Sequence, residues 1–381
     1  MNSLKNIVIL LTIGLVQSFT TNTFGCKTRA HLFLSFSNLV DNLDEHLDIQ
    51  KQRETSLLKF IGPYPALSLR FPSLSTSLQR KRNVTGVALD FILDTAANTN
   101  TINAQVATEL SLDVVGDALP GFGAAGSISG GQTFGLGNCT IDRLDADLFM
   151  TNLTASALPV ASPAAAGLLG VAFLNCFEAV KFVWGGGIEG KQPLVTFYGD
   201  TDDANQECQK FRRVPLDVLD TILLPSVIIN INGVRIPALL DTGSPVTVLN
   251  AAAANATGLE VFKLDTENSD KRTGGFNPFK AFTDNLRDAK SMADAASRGE
   301  ILVIASSDGK QIELKRTKNS VSVSLGSGEV QFPPANIYVG DLPGLAALNG
   351  LNPTSPPAAI LGMDVIKRLP MMIYRKDAIY L

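Results

Sequence analysis

Short apolar runs, separated by Gly, Pro, Asn and Asp, make up most of this chain beyond its N-terminal region. Runs of that length and spacing read as strands. Val227–Asn230 and Val234–Leu240 flank Asn232-Gly233, a pair suited to the positive φ angles of a tight hairpin turn. Leu78–Asn83 and Val87–Leu93 flank Thr85-Gly86 in the same way, which predicts a second hairpin. Helical signals are confined to short Ala-containing runs after Asn103 and Asn250, both good N-caps. The pattern predicts an all-β fold with a few short helices.

The two hairpins belong to an internal repeat. Phe91-Ile-Leu-Asp-Thr-Ala-Ala97 matches Ala238-Leu-Leu-Asp-Thr-Gly-Ser244 at an offset of 241 − 94 = 147. Asn103 and Asn250, Ala107 and Ala254, Leu112 and Leu259, and Val114 and Val261 keep that offset. A second match sets Pro163-Ala-Ala-Ala-Gly-Leu-Leu-Gly170 beside Pro356-Pro-Ala-Ala-Ile-Leu-Gly362 at 362 − 170 = 192. The second copy therefore carries 192 − 147 = 45 extra residues, and the polar stretch 266–300 is where an insertion is expected. Two lobes follow, 64–209 and 210–381. Arg80-Lys81-Arg82 has the composition of a processing site, but the repeat places it in a hairpin strand of the first lobe.

Each lobe delivers one Asp-Thr pair, and that pairing suggests chemistry. Two carboxylates brought close cannot both ionise, so the pair holds one proton over a wide pH range. The ionised member can take a proton from water while the other polarises a carbonyl, which is general acid–base hydrolysis. A threonine hydroxyl can tie each loop to the other, and Gly243 lets backbone approach a carboxylate closely. Asp241-Thr-Gly-Ser with Ile360-Leu-Gly, repeated as Asp94-Thr-Ala-Ala with Leu168-Leu-Gly, resembles the paired signature of aspartic peptidases. Asp-Thr followed by a short Ala-rich helix is similar to the retropepsin-like branch, here fused on one chain as in the pepsin layout.

The resemblance covers roughly 64–381. It implies a bilobal all-β fold with Asp94 and Asp241 as catalytic residues, supported by Thr95, Ala96, Thr242, Gly243 and Ser244. It also implies a flap over the cleft within the glycine-rich run Gly121–Gly137, centred on Gly130, Gly131, Gln132, Thr133 and Phe134. Ala96 departs from the family's glycine, and Ala97 lacks the hydroxyl that Ser244 can offer a carboxylate. The resemblance therefore implies an endopeptidase acting on peptide or protein substrates. The alternative is a catalytically silent homologue that binds peptide segments, marked by Ala96. A purely structural β protein held together by its Asp-Thr pairs is the third reading.

Composition narrows the field further. The chain has 381 residues, 45% of them apolar, enough for a large core. A net charge of −4 gives no electrostatic case for nucleic acid or an anionic membrane. Its two histidines, His31 and His46, both lie in the N-terminal leader. The body therefore lacks the imidazole that a Ser-His-Asp, Cys-His or His-zinc site needs. Cys26, Cys139, Cys176 and Cys208 form no CxxC pair, so no metal and no cofactor is expected. In an oxidising compartment a Cys176–Cys208 disulfide is open. Gly121-Phe-Gly-Ala-Ala-Gly126 fits GxGxxG without a βαβ unit around it, and Gly185–Lys191 nearly fits a P-loop but meets Pro193 where a helix should begin. Thr151–Phe177 carries no charge, but Pro159, Pro163 and Asn175 interrupt it as a membrane helix.

At the N-terminus, Lys5 precedes the apolar stretch Ile7–Val16, with small residues up to Ser18. This reads as a signal peptide over 1–18 and places the chain in the secretory pathway. Phe19 after that cut resembles bipartite plastid presequences, which leaves a plastid destination as the alternative. Residues 19–63 are then a leader, transit peptide or propeptide, and the mature protein is expected to be a monomer without stable membrane insertion.

Overall fold

The computed structural model describes residues 7–10, 53–118, 121–123, 126–128, 131–142, 148–157, 164–185, 192–219, 222–262, 294–305, 311–326, 328, 330–350 and 355–381. The expected signal peptide (beyond the strand Ile7–Leu10), most of the leader, Cys26, Gly130, nearly all of Gly185–Lys191 and most of the 266–300 insertion lie outside these residues.

In each half, a strand ending at an Asp-Thr turn lies at the centre of its sheet. Val87–Leu93 is sandwiched between Tyr64–Phe71, antiparallel, and Gly167–Leu169, parallel. Val234–Leu240 lies likewise between Leu224–Ile231 and Ala359–Leu361. The parallel registers are equivalent. Phe91 faces Gly167 and Ala238 faces Ala359, so the offsets 238 − 91 = 147 and 359 − 167 = 192 repeat those of the sequence. Strands buried on both faces explain the unbroken apolar runs, and Ile92, Leu93, Leu239 and Leu240 are all fully buried. After each Asp-Thr turn come a two-residue strand and a seven-residue helix, Ala104–Leu110 capped by Asn103 and Ala251–Thr257 capped by Asn250.

The two halves share a six-stranded sheet. At its middle, Ala179–Val183 pairs antiparallel with Met371–Tyr374, with Val180 opposite Tyr374 and Phe182 opposite Met372. Because 180 + 192 = 372 and 182 + 192 = 374, each pair maps onto the other when the lobes are exchanged, and a pseudo-twofold axis runs between them. The outer strands are also equivalent. Arg53–Leu57 lies beside Leu194–Tyr198, and Arg213–Pro215 beside Ala378–Tyr380.

Several sequence-based expectations change here. The folded body begins at least eleven residues before Tyr64, since Arg53–Leu57 and Lys59–Ile61 are strands. The first-lobe hairpin uses Tyr64–Phe71, not Leu78–Asn83. Thr76 and Gln79 form a capping box that turns Ser77–Lys81 into a short helix, so Arg80-Lys81-Arg82 straddles a helix end rather than a strand. Leu78 is accordingly 57% exposed. The second-lobe hairpin forms as expected, with Asn232 and Gly233 both at positive φ (51° and 83°).

Cys139, Cys176 and Cys208 are free thiols, so the open Cys176–Cys208 disulfide is not formed. Cys208 packs in a small separate cluster with Tyr198, Ala204 and Ile373, away from the main core against which Cys176 lies. Thr151–Phe177 is not a membrane span: Leu148–Ala157 and Gly167–Leu169 are strands, and among the described residues no helix is long and apolar enough to cross a membrane.

Candidate active site

The two Asp-Thr turns meet on the pseudo-twofold axis, tied by four reciprocal bonds. The Thr95 N–H donates to Thr242 Oγ1 (3.1 Å), and the Thr242 N–H donates to Thr95 Oγ1 (3.0 Å). Each hydroxyl then donates across the interface, Thr95 to the Leu240 carbonyl and Thr242 to the Leu93 carbonyl, both at 2.7 Å. Both threonines are fully buried, so each of these polar groups depends on its partner in the other lobe.

This interlock brings the carboxylates together. Asp94 (9% exposed) and Asp241 (2%) share a side-chain hydrogen bond. Gly243 packs directly on Asp94. A Cβ there would lie 2.3 Å from the Asp94 Cγ, so the approach requires glycine. The glycines that close the Leu168-Leu-Gly and Ile360-Leu-Gly motifs are equally constrained, a Cβ on Gly170 meeting the Ala97 carbonyl and one on Gly362 the Val246 carbonyl, both at 2.3 Å.

The carboxyls differ in their surroundings. Burial pushes Asp94 up to about 6, against hydrogen bonds from the N–H groups of Ala96 and Gly243 and from Asp241. Burial also raises Asp241 well above the usual carboxylate range, and the charge of Asp94 adds to it. The N–H groups of its own loop, Gly243 and Ser244, pull the other way. Asp94 thus takes N–H groups from both loops, including Ala96 at 2.8 Å, and is the more readily ionised member. Asp241 is pushed toward its protonated form, and its Oδ1 is buried without a hydrogen-bond partner among the described residues.

Ser244 departs from expectation. Its hydroxyl donates to the Val246 carbonyl (2.8 Å) rather than to a carboxylate, because the loop folds back after Pro245. Ala97 therefore costs Asp94 no hydroxyl that its counterpart enjoys. Sequence reading also missed the groups that brace the loops from behind. The Gly170 N–H donates to Asn100 Oδ1 (3.2 Å), and the Gly362 N–H to Thr247 Oγ1 (3.0 Å). Since 247 − 100 = 147, these are repeat partners of different type, which hid them from a search for identities. Thr247 also donates to Asp364 (2.7 Å), a carboxyl raised by burial that has no counterpart in the first lobe, where 364 − 192 = 172 is Ala172.

The segment expected to be a flap is a hairpin. Val114–Asp117 pairs with the start of Gln132–Ile141, so that Gln132 lies opposite Asp117, Thr133 opposite Gly116 and Phe134 opposite Val114. Gly131 immediately precedes this strand. Nearer the tip, Gly121–Gly123 pairs with Gly126–Ile128, a hairpin with no helix behind it and so no dinucleotide fold. The backbone of Gly126–Ile128 lies against Pro343–Leu348 of the second lobe, so the hairpin reaches across from one lobe to the other. Ile301–Ala305 and Gln311–Arg316 form the corresponding hairpin of lobe 2. Among the described residues no cluster of His, Cys, Asp and Glu is arranged to hold a metal ion.

No protein-family model matches the chain, and no curated protein matches it in sequence. Among solved structures, the crystal structure of edgp is similar over 87% of this chain and 95% of its own, at 12% identity and a TM-score of 0.42. The aspartic proteinase from Irpex lacteus covers 86% of this chain and 97% of its own (12% identity, TM-score 0.37). Conglutin gamma, a basic 7S globulin from lupine seeds, covers 86% and 95% (9% identity, TM-score 0.41). These likenesses are distant, and the fold rests on the chain's own register and dyad. Two equivalent β lobes, a sheet shared about a pseudo-twofold axis and interlocked Asp-Thr turns give this chain the fold of the pepsin-like aspartic peptidases.

Proposed function

We propose that the chain is an aspartic-type endopeptidase that hydrolyses peptide bonds with a water activated between Asp94 and Asp241. The observation that carries this reading is the hydrogen-bonded, buried carboxyl pair, in which one member is easier to ionise than the other. Ionised Asp94 takes a proton from the attacking water. Protonated Asp241 donates to the scissile carbonyl as its oxygen gains charge, and the tetrahedral intermediate forms without covalent capture. Collapse of that intermediate returns a proton to the leaving amine. The substrate is an extended peptide lying between the lobes under the 114–134 hairpin. The chain is proposed to act as a monomer in the secretory pathway.

Ala96 supports the second reading, a homologue that binds peptide without cleaving it, because its methyl stands where the equivalent Gly243 has none. Peptide cleavage by the purified protein, beside Asp94→Asn, Asp241→Asn and Ala96→Gly, separates the two. The peptidase reading expects turnover lost in both Asn variants and raised in Ala96→Gly. Cleavage that persists in both Asn variants sinks it. Binding of a statine-type peptide, whose hydroxyl takes the place of the attacking water, without any turnover between about pH 3 and 8 leaves the binding homologue.

A further inference from the structure

Tyr64 opens the first strand of the lobe 1 hairpin. It follows a tight turn through Gly62, at φ 61°, and Pro63, which sets it opposite Ile61. The strand it begins pairs with the one that ends at Asp94, with Leu67 opposite Phe91 and Ala66 opposite Ile92. Two more steps toward the dyad set Tyr64 opposite Asp94, since 66 − 2 = 64 and 92 + 2 = 94. In lobe 2, Ser226 faces Leu239, and the same two steps set Leu224 opposite Asp241. Leu224 is fully buried, whereas Tyr64 is half-buried. The register position beside the dyad thus carries a polar, partly accessible side chain in one lobe and an apolar, covered one in the other.

The electrostatics agree with that placement. Ionisation of Tyr64 is pushed up first by burial, then by the charge of Asp241, then by that of Asp94, so the phenol lies within reach of both carboxylates. It keeps its proton throughout the range in which the dyad titrates and remains a donor there. Two carboxyls that repel electron-rich oxygens make a neutral donor at their rim a directional contact for a peptide carbonyl.

Given the endopeptidase reading, we propose that Tyr64 is a positioning residue of the cleft, whose hydroxyl donates a hydrogen bond to a backbone carbonyl of the bound peptide beside the dyad. The bound chain is then held by a polar contact from lobe 1 that lobe 2 does not match, which fixes the direction in which a peptide lies across the axis.

Tyr64→Phe removes the hydroxyl and keeps the ring that packs beside it. Calorimetric binding of a statine-type peptide should weaken about three- to tenfold, as for a single neutral hydrogen bond. For a cleaved peptide, KM should rise by a similar factor with kcat nearly kept, because the bond is made equally in ground and transition states. A second measurement tests the placement without turnover. With tyrosine labelled at its Cζ carbon, the resonance that disappears in Tyr64→Phe should titrate at lower pH in Asp241→Asn than in the wild type, because one of the raising charges is gone. Unchanged peptide affinity in Tyr64→Phe, or an unchanged Tyr64 titration in Asp241→Asn, overturns the inference. A wild type that binds the statine peptide but cleaves nothing removes the peptidase reading alone, because neither the binding nor the titration arm needs turnover.

Discussion

At the residue scale, the asymmetry of the dyad makes a sign-definite statement about pH. Both carboxyls are raised in the folded state well above the unfolded carboxylate range of about 4, Asp94 to about 6. Folding therefore favours their protonated forms. The stability this contributes is fully present below about pH 4 and is lost as pH rises through the folded values. Asp241→Asn removes one buried ionisable group, so its advantage over the wild type in urea unfolding should be small near pH 4 and grow toward pH 8. An advantage that stays flat or shrinks over that range would show that Asp241 is not held protonated. Under the proposed peptidase reading, activity would report the same pair from the other side. With Asp94 as the base, cleavage should fall as pH drops below about 6, giving a weakly acid to neutral optimum. The hydroxyl missing at Ala97 would argue in the same direction, because a carboxylate without a donor titrates higher. That reason fails, because the Ser244 hydroxyl is engaged by Val246 and no carboxylate gains from it. Residue identity alone pointed to the carboxyl pair, but it left the direction of a hydroxyl undetermined by three rotamers.

At the element scale, most of what builds the site was legible where it repeats. The Asp-Thr turns, the helices capped by Asn103 and Asn250, and the Asn232-Gly233 turn are local patterns, and each formed as expected. The lobe 1 hairpin failed because its two strands are joined by a long connection containing its own capped helix, Ser77–Lys81, and no turn signal marks such a join. Asn100 and Thr247 failed because they are equivalent in role and not in type. The element that most directly joins the lobes is the reciprocal threonine pair. Replacing Thr242 by Val keeps its shape but leaves the buried Thr95 N–H without an acceptor and the Leu93 carbonyl without that donor. A cost of about 3 kcal/mol is expected from the two groups, and the same for Thr95→Val by symmetry. The double variant should lose less than the sum, because both changes open one network. Strictly additive losses in chemical denaturation would mean that the turns are held elsewhere.

At the scale of the whole molecule, the lobes are not two beads on a string. The six-stranded sheet that joins them takes three consecutive strands from each half, meeting at its axis, and its outer strands come from the segments just before each lobe's hairpin. Those segments give a third match between the two halves, one that identities did not reveal. Arg53 lies opposite Tyr198, and Arg213 opposite Tyr380. The Arg53 guanidinium stands over the Tyr198 ring at 5.4 Å, whereas Arg213 donates to Asp377 at 2.8 Å. The offset between these arginines, 213 − 53 = 160, also relates Ala66 to Ser226 in the hairpins. Starting the folded body at Tyr64, as the sequence suggested, therefore breaks one of two matched edges. It removes Glu54 and Ser56, both 8% exposed, and uncovers a strand containing Val195, Phe197 and Tyr198, which are at most 1% exposed. Partly uncovering three such side chains costs about 4 kcal/mol, and the bared edge has backbone groups open to pairing with another chain. A chain begun at residue 64 should melt at least roughly 8 °C lower than one begun at residue 50, at 2–4 °C per kcal/mol, and should aggregate on heating. Thermal unfolding of the two truncations side by side decides the point. Equal melting temperatures would mean that Arg53–Leu57 is only laid against the sheet and belongs to the leader after all.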